Sequence, residues 1–103
     1  MTCTVSSVRF KKDIAPLTKQ EADRIVFGLR PVSFAMRDGG RRSVHVIAEQ
    51  ADSVDTRLVF YDAQGRPNSV DDAVIVTALL AVVQDQQRAI DSLRHGPTSA
   101  IAL

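Results

Sequence analysis

Residues 71–94 read DDAVIVTALLAVVQDQQRAIDSLR, and the fold turns on how that stretch is taken. Its two leading aspartates suit the first turn of a helix, where carboxylates face the positive end of the helix dipole. Gly96-Pro97 is a stop signal beyond it. The pattern predicts one long helix from Asp71 or Asp72 to about Arg94. Within it, Val76, Leu79, Val83, Gln86, Ile90 and Leu93 follow at spacings of 3, 4, 3, 4 and 3. That is the a/d seam of a coiled coil with one polar layer at Gln86. Two readings of the seam stay open. It is either the face that packs on the chain's own domain or a face for self-association. Two features favour the second. The seam runs on through Ile90 and Leu93, where the rest of the chain offers no further partners. A polar residue at a seam position also fixes register and oligomer state at some cost in stability. Leu80 widens the stripe at its start, as suits a helix that packs first on its domain and then on symmetry mates.

Upstream, periodicity alternates between strand and helix. Met1 to Ser7 reads as extended, and Val8 to Lys11 alternates apolar and basic residues as a short strand does. Thr18-Lys19-Gln20-Glu21 is a capping box that starts a helix over about Lys19 to Phe27, with Ala22, Ile25, Val26 and Leu29 on one face. Gly28 and Pro31 end it. Val32 to Met36 and Ser43 to Ala48 alternate around the turn signal Asp38-Gly39-Gly40, which predicts a hairpin. Glu49 to Val54 fits a short helix. Leu58 to Tyr61 and Pro67 to Val70 fit a second pair of strands around Asp62-Ala63-Gln64-Gly65. The fold class expected is α+β: a small β-hairpin region, a short N-terminal helix and a long C-terminal helix.

The bulk figures set bounds. A chain of 103 residues makes one domain of modest core. With 45% hydrophobic and 24% charged residues it is too apolar to be disordered throughout. A net charge of +1 gives no field that would draw nucleic acid or an anionic membrane, so neither is expected as a partner. The basic run Arg37, Arg41 and Arg42 sits in the Gly-rich turn, where a solvated hairpin tip accounts for it. The apolar run from Ala73 to Val83, broken by Thr77, is too short to span a bilayer. Cys3 is the sole cysteine, so no internal disulfide exists, and no base signature marks it as a nucleophile. His45 and His95 stand too far apart in sequence for metal-ligand spacing. No metal and no cofactor is expected.

Ser6 and Lys11 are the pair that could carry chemistry. A lysine desolvated enough to be neutral can take a serine proton, and the alkoxide can attack a carbonyl. They stand five residues apart, which on a strand puts them on opposite faces, so a turn or bend must bring them together.

The segment Ser6-Ser7-Val8-Arg9-Phe10-Lys11-Lys12-Asp13-Ile14 resembles the opening motif of the intramolecular chaperone auto-processing domain (the peptidase S74 family), commonly Ser-Asp-x-Arg-x-Lys, a short polar pair and Ile. Further pieces follow in order. Leu29-Arg30-Pro31-Val32-Ser33-Phe34 is similar to the family's LRPVSF strand entry, and Val46-Ile47-Ala48-Glu49-Gln50 to its GFIAQEV segment. Val59 to Gly65 resembles its second hairpin. Leu79-Leu80 through Gln84-Asp85-Gln86-Gln87 resembles its closing helix. Together these cover Ser6 to about Arg94. Ser7 stands where the family has Asp, His45-Val46 where it has Gly-Phe, and Asp72 near where an aromatic often follows.

The resemblance implies a C-terminal chaperone of phage-type tail spikes and fibres. Such a domain forms a homotrimer through a coiled coil, assists folding of a β-rich fibre or spike segment upstream in cis, and then cuts itself off. Carried over, Ser6 is the nucleophile, Lys11 its general base and Val5–Ser6 the scissile bond, with Arg9 holding local geometry. Residues 1–5 would be a leader remnant, 6–95 the chaperone domain and 96–103 a flexible tail. The expected setting is the cytoplasm of a bacterial host during virion assembly, or the virion before release. Two alternatives remain: a non-catalytic trimerisation module of the same fold, and a small adaptor that binds a partner through its last helix.

Overall fold

The structure, a computed structural model, describes residues 6–95. The extended stretch expected before Ser6, Cys3, the carbonyl side of the Val5–Ser6 bond and the segment from Gly96 onward lie outside the described residues. The described residues form a mixed α+β fold, with three α-helices and two separate two-stranded antiparallel hairpins. Helix α1 spans Lys19–Gly28, and its capping box forms as the sequence predicts. The Thr18 hydroxyl accepts from the Glu21 amide at 3.1 Å, and the Glu21 carboxylate accepts from the Thr18 amide at 3.1 Å. Strands β1 (Val32–Phe34) and β2 (Ser43–His45) pair with Val32 opposite His45. Helix α2 is Ala48–Val54. A single 3-10 turn, Thr56–Leu58, leads into β3 (Val59–Tyr61), which pairs with β4 (Pro67–Val70) across a bulge at Phe60/Tyr61. Helix α3 is Asp72–His95, 24 residues and so about 36 Å long.

The core gathers Ile25, Ala51, Leu58, Val59 and Ala78. Each helix therefore sends at least one residue to it. Ala22, Ala51 and Ala78 are at most 1% exposed, and so small a side chain lets helix backbones approach closely. Leu58 and Ile25 are the largest fully buried side chains, each adding about 2 kcal/mol of apolar burial. On α3 the residues turned to the domain are Ala78 and Val82, with Val74, Ile75 and Ala81 partly covered, a ridge at i, i+3 and i+4 spacing.

Three expectations shift. Val8–Phe10 is a 3-10 turn and not a strand, because the Ser7 hydroxyl caps it and no neighbouring strand offers a ladder. The first hairpin is shorter than its alternation suggests. Val46 turns in against the core and Ile47 becomes the N-cap of α2, so neither continues the pairing. Leu58, expected to begin a strand, closes the 3-10 turn, with the Asp55 side chain accepting from the Arg57 amide at 2.9 Å.

Candidate functional site

Ser6 and Lys11 lie on either side of the turn Val8–Phe10. The turn is closed by Phe10 N–H donating to the Ser7 carbonyl and Lys11 N–H to the Val8 carbonyl, both at 3.1 Å. Ser7 Oγ accepts from the Arg9 amide at 3.3 Å and from Arg9 Nη1 at 3.2 Å. The same guanidinium lies 4.5 Å from the centroid of the Phe10 ring. Arg9 thus holds local geometry. Ser6 and Lys11 are both exposed, and no hydrogen bond joins them. The turn brings the chain round without assembling a serine–lysine pair. Past it, Asp13 sits in the left-handed region at φ 54° and redirects the backbone toward α1. Val8, Phe10 and Ile14 project at 60 to 69% exposure.

The second feature is the open flank of α3. Val76, Leu79, Leu80, Val83, Ile90 and Leu93 are all exposed, from 44% at Leu79 to 80% at Leu93, and Gln86 is exposed among them. At 100° per residue this stripe lies about 100° round the helix from the Ala78 ridge. The seam is therefore not the face that packs on the domain. Singly exposed apolar residues are ordinary, whereas here five share one helical line, broken once at Gln86. The stripe adjoins two apolar grooves, one against the first hairpin and one against the end of α1. One, of about 320 Å³, is lined by Pro31, Val44, Val46, Ile75 and Val76. The other, of about 150 Å³, runs past Val26, Leu29 and Leu79.

Two of the pieces that carry the resemblance, Leu29–Phe34 and Val46–Gln50, touch each other. Gln50 bridges them: its Nε2 donates to the Gly28 carbonyl at 2.9 Å, and its Oε1 accepts from the Arg30 amide at 3.1 Å. It supplies the cap that the end of α1 lacks. Two of the departures also meet, since His45 Nε2 lies 2.8 Å from Asp72 Oδ1 and ties β2 to the first turn of α3. Sequence reasoning missed a charged cluster beneath α1. Asp55, its side chain only 6% exposed, receives Arg57 at 2.8 Å and Arg24 at 3.0 Å, and Arg57 reaches on to Glu21 at 3.2 Å. Hydrogen bonding from the Arg57 side chain, with its amide and the charge of Arg24 adding to it, holds the Asp55 carboxyl down at about 2 against the pull of burial. Its signal in sequence was faint, because Glu21 showed only as a capping residue. Tyr61 OH donates to Asp52 and fastens β3 to α2.

Among the described residues no group of His, Cys, Asp or Glu is arranged to hold a metal ion, and no helix is long and apolar enough to cross a membrane. The chain matches no family model, no curated protein and no solved structure at a significant level.

Proposed function

We propose that this chain is a folding and assembly domain that trimerises through α3, assists a β-rich fibre or spike segment upstream in cis, and releases itself by cutting at Val5–Ser6. One observation supports the assembly half above all others: the whole a/d stripe of α3 is bare while a different face of the same helix packs on the domain. Five apolar positions and one glutamine in register are what a symmetric coiled coil covers. The stripe widens through Leu80 and the groove against the first hairpin, which suits more than two strands. A dimer is the second reading. Its support is that Val76, Val83 and Ile90 at the a positions are all β-branched while Leu79 and Leu93 stand at d, a pairing that favours two strands.

The cleavage half rests on the resemblance of Ser6 to Lys11. Ser6 Oγ adds to the Val5 carbonyl carbon while an unprotonated Lys11 Nζ takes the hydroxyl proton. The Val5–Ser6 C–N bond then breaks, Lys11 returns the proton to the leaving amine, and Val5 is left as an ester on Ser6. Water hydrolyses the ester, giving a Val5 carboxylate and restoring the serine. An exposed amine must be desolvated before it acts as a base at neutral pH, and burial against symmetry mates supplies that, coupling cleavage to assembly. The test uses the protein with an upstream extension. Three copies by light scattering, and an intact mass that has lost everything before Ser6 in wild type but not in Ser6→Ala or Lys11→Ala, is the expected result. A trimer that keeps its extension leaves only the non-catalytic module. A monomer at micromolar concentration overturns the chaperone reading in favour of an adaptor.

A further inference from the structure

Ser6-Ser7 offers two hydroxyls where the proposed chemistry needs one, and the two are not equivalent. Ser7 is the partly buried member and Ser6 the exposed one. The Ser7 oxygen accepts from the Arg9 amide and from the Arg9 guanidinium, at 3.3 and 3.2 Å. A hydroxyl oxygen has two lone pairs, and both are taken. An oxygen whose electron density is committed to two donors, one of them cationic, is a poor nucleophile.

The bonds that disqualify Ser7 for attack give it another task. Were Ser6 to Lys11 a strand, the two side chains would point to opposite faces. In a 3-10 turn each residue advances about 2.0 Å where a strand residue advances about 3.3 Å, so the three residues Val8–Phe10 shorten the path by about 4 Å and cancel the strand parity. Among the described residues little else holds this turn. It has two backbone hydrogen bonds and no buried residue. The Ser7 hydroxyl is its one side-chain cap, and Arg9 is fastened at both its backbone and its side chain to that single atom.

We infer that Ser7 is a positioning residue for the self-cleavage proposed above, on which this inference rests: through Arg9 its hydroxyl holds the turn that carries Lys11 back toward Ser6, and Ser6, not Ser7, is the nucleophile. An aspartate in the same place would keep both donors through a charge-assisted pair, whereas alanine would keep neither.

The experiment follows first-order loss of an upstream extension in the assembled protein, with the product's N-terminus read by intact mass. The product should begin at Ser6. Ser7→Ala should cleave about five- to tenfold more slowly, the rate equivalent of one lost cap, with an unchanged oligomeric state. Ser7→Asp should cleave at least as fast as wild type. In a Ser6→Ala background, which cannot cleave, hydrogen exchange at the Lys11 amide should quicken on Ser7→Ala and recover with Ser7→Asp. A product that begins at Ser7, or Ser7→Ala cleaving at the wild-type rate, overturns the inference and leaves self-cleavage standing. Cleavage by Ser7→Asp alone shows that the hydroxyl does not hold the turn, and also overturns it. No cleavage in either chain sinks both the inference and the self-cleavage reading.

Discussion

Two faces of one helix behave in opposite ways. The Ala78–Val82 face of α3 is closed against α1 and the core, and its small residues let the helices meet at short range. The Val76–Leu93 face carries larger apolar side chains and leaves them in water. The inward face is alanine-rich and the outward one rich in leucine, isoleucine and valine, so the helix leaves larger apolar side chains in solvent than it buries on its own domain. The difference teaches that amphipathic strength alone does not point to the core. It has to be asked which stripe the remaining elements are able to cover.

The contrast can be broken most sharply on the open face. In the assembly proposed above, Val83→Glu with Ile90→Glu should weaken self-association at least about a thousandfold, since unpaired like charges would be brought into the seam, and leave the monomer's thermal midpoint almost unmoved. Sedimentation and thermal melts read the two quantities separately, and a large fall in the monomer's midpoint would mean that this face packs on the domain after all. On the closed side, Leu58→Ala should cost about 3 to 4 kcal/mol in urea unfolding, because it opens a cavity in a core with few large residues. Its effect should be on the folding of each protomer, with the stoichiometry of folded material preserved.

Asp55→Ala comes next, at about 2 kcal/mol, by removing the acceptor of two arginines. The pH dependence has a definite sign. The Asp55 carboxyl is lower in the folded state, at about 2 against an ordinary 3.8, so the stability it gives is whole above pH ~4 and is lost as the pH falls toward 2. Acid titration of wild type against Asp55→Asn should show the wild-type advantage shrinking across that window, and a constant advantage would remove the carboxylate from the explanation. The smallest effect belongs to His45 and Asp72. Their pair is well exposed, so a double-mutant cycle should return a coupling below about 1 kcal/mol that fades in high salt.

Several parts of the molecule were legible because their determinants are local. The capping box at Thr18-Lys19-Gln20-Glu21 places the start of α1 correctly, since the donors and acceptors lie within four residues of one another. Pro67 to Val70 is the strand expected, and α3 begins at Asp72 as its paired aspartates suggest. The N-terminal segment was misread for an equally physical reason. Val8 to Lys11 alternates like a strand, but alternation becomes a strand only where a ladder partner waits, and a serine cap takes the backbone instead. The first hairpin was overextended because Val44, Val46 and Ala48 look equivalent in sequence, while only tertiary packing separates them. Val46 and Ala48 join the core and Val44 stays outside.

By itself the sequence determined the α+β class, the order of the three helices and two hairpins, and the spacing of the apolar stripe on the last helix, since each is written in neighbouring residues or in a simple period. The tertiary structure decided which stripe of α3 is spent on the domain and which stays open, because that depends on where α1 and the two hairpins come to rest. It also decided that Gln50 would cap a helix 22 residues away and that Asp55 would be reached by Arg24, 31 residues before it. These are contacts of shape and charge, and no period in a chain announces them.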